Sequence, residues 1–423
     1  MAIAGSFRGG LQVGSFLYGA WTDEVYTVNQ SGDLVLFSTL SGTDKIFIAQ
    51  NNATTPGIAV VSGGNPFIIN TTAAAVQSYP DMDVGSPTCV REHMGYLMFG
   101  YGNGDIQATD LNSTNINTLN RARTESNPDG VVNMVSYQGQ LYVMGEKTIE
   151  VWGDPVNASG FPLTRIGYHL VPGLMTAHAV AGWEPEFGHP FIWVGSDATV
   201  RQLKGYGAEK ISTDDLDRLI ASVIFPDDDL DALCYVSGGN AYWQLNGPTW
   251  TWVYELNSGT WHERKTVNSD KSKFTRSVPA FGKWLVGSTA STDLLELDHT
   301  RAREGADLVV ASMESGPVKD FPQGQRIARA DFDFTPGVGI ATGEDPVQTD
   351  PSVLIEVSRD GGKTWPVSFV RELGAQAKTE RRIFVTNAGL SGDEGARWRW
   401  SISDPVHVGF TGSSMRTKAT KAK

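Results

Sequence analysis

One pattern constrains this chain more than any other: short apolar runs, separated by glycine-containing turns, recur in groups along its first 300 residues. The clearest group is VNMVSYQGQLYVMGEKTIEVW (Val132–Trp152). Val132–Tyr137 predicts a strand, Gln138-Gly139-Gln140 a tight turn and Leu141–Met144 a second strand. Gly145-Glu146-Lys147 is another turn, and Thr148–Trp152 a third strand. Each run alternates apolar and polar residues and is rich in Val, Tyr and Ile, which fit a pleated, half-buried surface. Turns this short join neighbouring antiparallel strands, so the group reads as a meander.

The same unit recurs at Gly14–Leu40, Gly57–Asn70, Cys89–Leu111, Ala179–Leu203, Cys234–Arg264 and Val278–Asp298. Seven degenerate copies at a period of roughly 40–50 residues, with about four short strands each, predict β-propeller blades. The pattern fits seven blades, with six as the alternative, over 1–300. A large irregular β-sandwich is the competing architecture. Beyond it, Arg301–Pro322 reads as a connector, and Ile327–Phe334, Val353–Ser358, Ile383–Thr386 and Trp398–Ser403 predict a small β-sandwich over 301–423, ending in a basic tail. The expected fold class is therefore all-β, a propeller followed by a sandwich.

Two segments depart from the rhythm. Asp110–Asp129 is polar and Asn-rich and predicts a long inter-blade loop, in which Arg121 and Arg123 are candidate contacts for an acidic neighbour. Ile211–Ile224 has helical spacing at Leu216, Leu219 and Ile220, with Ser212 or Thr213 to cap it and Asp214 and Asp215 in the first turn. Pro226 and the solvated run Asp227–Asp229 end it, without the order or terminal Glu of a calcium loop.

Composition removes several function classes. A net charge of −13 argues against a protein that grips nucleic acid, which needs clustered Lys and Arg. It suits a surface that DNA slides past. The basic cluster is the tail, with Arg416, Lys418, Lys421 and Lys423 as candidate interface residues. Cys89 and Cys234 are too few and too far apart for a disulfide framework and predict two buried thiols in a reducing cytoplasm. Neither a signal peptide nor a membrane-spanning run is expected. The scattered His residues lack metal-ligand spacing, and phosphate-binding, dinucleotide and nucleophile-elbow motifs are missing. No catalytic, metal or cofactor residues are expected.

SRDGGKTW (Ser358–Trp365) resembles the Asp box of sialidases and related propellers, which physically is a turn: Asp360 accepts backbone N–H bonds and Gly361 and Gly362 permit positive φ. With Trp243, Trp250, Trp252 and Trp261 it motivates an alternative reading, a carbohydrate-binding or sialidase-like propeller; blade packing is the plainer account of those indoles.

A second resemblance covers more of the chain. LYVMGEKTIEVW (Leu141–Trp152), GFPLTRIG (Gly160–Gly167), PFIWVGSDATVRQLKGYGAEKIST (Pro190–Thr213) and TWVYELNSGTWHER (Thr251–Arg264) follow one another in the order found in packaged-DNA-stabilisation proteins, the tail hub or nozzle proteins of short-tailed bacteriophages. TPGVG (Thr335–Gly339) and WRWSISDPV (Trp398–Val406) are similar to phage tail-hub sequences. The resemblance implies a virion structural protein without enzymatic activity or cofactor. It implies a homo-oligomeric ring, typically six-fold, below portal and adaptor proteins. That ring prolongs the double-stranded DNA channel, retains the packaged genome, and docks tail fibres, spikes or a needle. Assembly would take place in the host bacterial cytoplasm.

Overall fold

The computed structural model describes residues 6–127, 129–154, 160–289, 291–321 and 323–419. The chain divides into two compact units, Met1–Lys265 with Ser269–Asp298, and Thr266–Asn268 with His299–Lys423.

In the first unit, seven antiparallel meanders follow in chain order. Blades one to six have four strands each and blade seven has three, among the described residues. Blade four is the predicted meander: Val131–Tyr137, Gln140–Gly145 and Ile149–Gly153, completed by Thr164–Leu170. The first strands of successive blades are Phe7–Val13, Ile46–Gln50, Cys89–His93, Val131–Tyr137, Val180–Ala181, Asp231–Ser237 and Phe274–Ala280. They gather around one axis, and the first strand of blade seven lies beside that of blade one, which closes the circle. All three strands of blade seven come from 274–296. Closure therefore rests on side chains. Phe7, Leu17, Trp21, Val278 and Ala280 form a shared core, and the Phe281 N–H donates to Gln12 Oε1 at 2.8 Å. Gly287 is required here, since a Cβ at that position would lie 2.4 Å from Phe7 Cβ.

The helix forms where its spacing placed it, over Asp214–Ala221, with Thr213 as N-cap and Leu216 and Ile220 buried. Two expectations are corrected. Asp227–Asp229 do not simply follow that helix; with Pro226 at its first position they form a short helical turn of their own, with the carboxylates where the dipole favours them. Asp110–Asp129 is not one long loop, because Ile116–Arg123 is the outer strand of blade three. An outer strand touches the core on little of its surface, so a polar sequence suffices there.

The second unit is a sandwich. One sheet orders Ala311–Glu314, Arg397–Ile402, Ser352–Ser358 and Val367–Glu372; the other orders Ile383–Ser391, Gln325–Phe334 and Phe410–Ala419. Ile327, Phe332, Val353, Ile355, Val385 and Trp398 are buried together in its core. Ala311–Glu314 lies in what the sequence gives as connector. Phe410–Ala419, which takes in Arg416 and Lys418 of the expected basic tail, pairs along the length of Gln325–Phe334. A central strand with one partner leaves an open edge, and backbone pairing there needs no apolar signal.

Candidate functional site

A propeller places its characteristic site on the axis, where the first strands converge. Here that space is a cavity of about 360 Å³ lined by residues from Gly9 in blade one to Pro279 in blade seven. Large side chains line it and narrow it. Phe47 of blade two stacks on His178, with ring centroids 4.9 Å apart and planes 20° from parallel. The Arg91 guanidinium of blade three lies 4.4 Å over the Trp183 ring and donates from Nε to Met134 O at 2.9 Å. Asn133 Nδ2 donates to Ala177 O at 2.8 Å.

One group of charges at the axis is paired. Asp231, on the first strand of blade six, accepts from Thr275 Oγ1 at 2.8 Å and from the Arg276 guanidinium, and Lys45 Nζ lies 3.3 Å away. Burial pushes the Asp231 carboxyl up, but Arg276 and Lys45 outweigh it and hold it below its ordinary value. His178 is held well below its ordinary value by burial, with Arg276 and Lys45 adding to the effect, so its ring is neutral at physiological pH. Among the described residues, no group of three or more His, Cys, Asp or Glu is placed to hold a metal ion.

The shared sequence motifs turn out to be clasps. Glu150 and Trp152 of GEKTIEVW are both buried. Glu150 Oε1 accepts the N–H groups of Glu125 (2.8 Å) and Ser126 (2.6 Å), and Oε2 accepts the Trp152 indole N–H (3.2 Å). Phe161 and Arg165 of GFPLTRIG meet the same group: Phe161 packs edge-on to Trp152, and Arg165 lies 3.6 Å from Glu150. Asp129 Oδ2 accepts from Lys147 N at 2.7 Å. Two buried carboxylates, Glu150 and Asp129, thus fix the link between blades three and four. In TWVYELNSGTWHER, the Trp261 indole donates to Ile211 O at 2.7 Å and Arg264 donates to the Tyr235 hydroxyl at 2.7 Å while lying over Phe274. The sequence marked these residues as a signature; their role as fasteners needed the fold.

The two cysteines are inert by position. Burial pushes the Cys89 thiol up to about 11, and burial beside Glu184, which accepts its S–H at 3.0 Å, pushes Cys234 well above its ordinary value. Only the thiolate reacts. An aromatic disulfide reagent is therefore expected to titrate no thiol in the native protein and both after denaturation. A native thiol count of one or two would contradict their placement.

The candidate interface residues are dispersed. Arg121 and Arg123 lie on the outer strand of blade three, and both pair with Asp105, at 2.9 and 2.8 Å. Arg416 and Lys418 stand on the last sandwich strand, paired in register with Arg329 and Arg326. Lys421 and Lys423 fall outside the described residues. Trp243 and Trp250 are buried, and Trp261 packs edge-on to Trp243, so these indoles serve blade packing. Asp360 accepts from Thr364 N at 2.9 Å and Thr364 Oγ1 at 2.6 Å; Gly361 and Gly362 have φ of 71° and 103°. The turn joins two sandwich strands, so the Asp box acts in folding.

A propeller whose narrow axis is lined by large side chains, fastened by buried motif carboxylates and indoles, is a rigid β scaffold. The chain belongs to the family described as bacteriophage P22 Gp10, beta-propeller, whose model matches residues 1–302. It is a bacteriophage virion structural protein of the kind that stabilises packaged DNA. No curated protein matches it. Among solved structures, it is similar to PorZ, a bacterial surface component of the type-IX secretion system of Porphyromonas gingivalis. Identity is 11% and TM-score 0.40, over 78% of this chain and 44% of that one. It is also similar to the computationally designed Ika8 protein, at 10% identity and TM-score 0.39, over 70% and 98% of the two chains. Among the described residues, no helix is long and apolar enough to cross a membrane.

Proposed function

We propose that this protein is a non-enzymatic tail hub or nozzle. Copies assemble in the host cytoplasm into a closed ring below the portal and adaptor. The ring extends the DNA channel, retains the genome and offers loops for tail fibres, spikes or a needle to dock. The observation that carries this reading is the narrow axis, whose free space is about 360 Å³. Duplex DNA, whose major groove alone is ~12 Å wide, has no path through a bore occupied by Phe47, His178, Arg91 and Trp183. The channel must then be the space enclosed by several propellers, which requires a heterologous interface that closes. An acidic chain, net −13, suits a wall that DNA slides past. The carbohydrate alternative loses its support with the burial of Trp243 and Trp250.

Particles assembled without this chain are expected to package DNA and then lose it. Nuclease-protected DNA per capsid measures the loss, and supplying the intact chain in trans should restore retention. Full retention without the chain would end this reading.

A further inference from the structure

The outer face of the three-stranded sandwich sheet carries an arrangement that the fold does not need. Ile327, Ala330, Phe332 and Met415 pack into the sandwich core. Arg326, Arg329, Arg416 and Lys418 alternate with them and lie on the opposite face. Arg326 stands directly opposite Lys418, and Arg329 opposite Arg416. Like charges facing each other across a strand pair are unfavourable in the free protein. Arg329 is shared with Asp331 at 2.8 Å. Arg326 and Lys418 have no ion pair among the described residues, and both are exposed. Two apolar side chains share the face: Leu390 is 55% exposed, and Phe384 is 38% exposed under the Arg329 guanidinium.

The rest of the chain has the opposite character. Residues 1–298 hold 31 of the 47 acidic residues but 17 of the 34 basic ones. Between blades five and six the propeller presents Ile224 and Phe225, 79% and 64% exposed, directly followed by Asp227, Asp228 and Asp229. These three carboxylates have no ion pair among the described residues. An apolar pair beside unpaired acids matches an apolar pair beside unpaired bases.

We propose that the outer face of the Gln325–Phe334 sheet is where a second copy of the chain docks, through the Ile224–Asp229 segment of its propeller. The contact joins different surfaces of two copies, so it repeats head to tail and closes a ring when the rotation allows. It rests on the ring reading above and names the surfaces that build it. Nucleic acid fits the face less well, because Asp331 and Asp333 stand among its cations and Leu390 and Phe384 offer nothing to a phosphate backbone.

Charge reversal on the full-length protein tests this. Arg326→Glu/Arg416→Glu/Lys418→Glu and, separately, Asp227→Lys/Asp228→Lys are each expected to weaken self-association at least about ten-fold at low salt, measured by sedimentation velocity. Both variants should keep the wild-type circular dichroism and thermal midpoint. Mixed in equal amounts they should associate again, since every junction of an alternating ring then joins opposite charges. Wild type that stays monomeric at low salt, or variants that associate as well as wild type, would overturn the proposal. If such variants still enter particles and retain DNA, the ring stands and only this interface falls. Binding of a random-sequence duplex by wild type, lost in the sandwich variant while self-association is unchanged, would assign the face to DNA instead.

Discussion

Phe7→Ala is expected to destabilise the propeller by about 3–5 kcal/mol, the range for emptying a large aromatic from a core. Phe7 is 2% exposed and its ring centroid lies 4.9 Å from that of Trp21. It also covers Gly287 of blade seven, where no side chain could share the space. With blade seven three-stranded, this core and the Gln12–Phe281 hydrogen bond stand where another fold would share a strand across the seam. Loss should therefore exceed that of an equal truncation inside one blade. Thermal unfolding followed by tryptophan fluorescence reads both the midpoint and the Trp21 environment. A midpoint shift no larger than that of Phe99→Ala, fully buried in blade three, would show that closure does not depend on this residue.

Asp231→Asn is the second large effect, about 3–5 kcal/mol, because removing one partner of a buried ion pair leaves charge uncompensated. The change would strand Arg276 and Lys45 on the axis without their carboxylate. The pH dependence has a definite sign. A carboxyl held below its ordinary value in the folded protein contributes stability that is complete above the unfolded value, ~3.9. That contribution disappears as the pH falls through the lower, folded value. Urea midpoints of wild type should thus hold near neutral pH and fall in acid. The asparagine variant should start lower and lack this part of the acid dependence. Equal midpoints at pH 7 would contradict the network. Alanine at Arg121, which is half exposed and leaves Arg123 on the buried Asp105 carboxylate, should cost ~0–1 kcal/mol by comparison.

Much of the architecture was legible because blades repeat a local signal. Alternation and glycine turns in Val132–Trp152 suffice to place three strands within a residue or two of their positions. Thr213 and the acidic first turn likewise announce the helix. What escaped is what local patterning does not encode. Ile116–Arg123 and Phe410–Ala419 are edge strands whose polar side chains face water, so neither period nor composition sets them apart from loops. The axis was hidden for a different reason. Phe47, Arg91, His178 and Trp183 come from separate parts of the chain and meet only when the circle closes. Glu150 lay in plain view as part of a motif, yet nothing in the sequence says that its carboxylate holds the Glu125 and Ser126 amides. The candidate interface residues show the same limit: charge is readable from sequence, but pairing of Arg121 and Arg123 with Asp105 is a property of strand register.

The narrow axis makes the path of DNA the point on which the account turns. Cryo-electron microscopy of intact, DNA-filled particles measures it directly. The account predicts several copies of this chain around a central column of duplex density, with each propeller axis closed by the Phe47–His178 stack. Duplex density running along the axis of a single propeller, or a lone copy beside the channel, would contradict it.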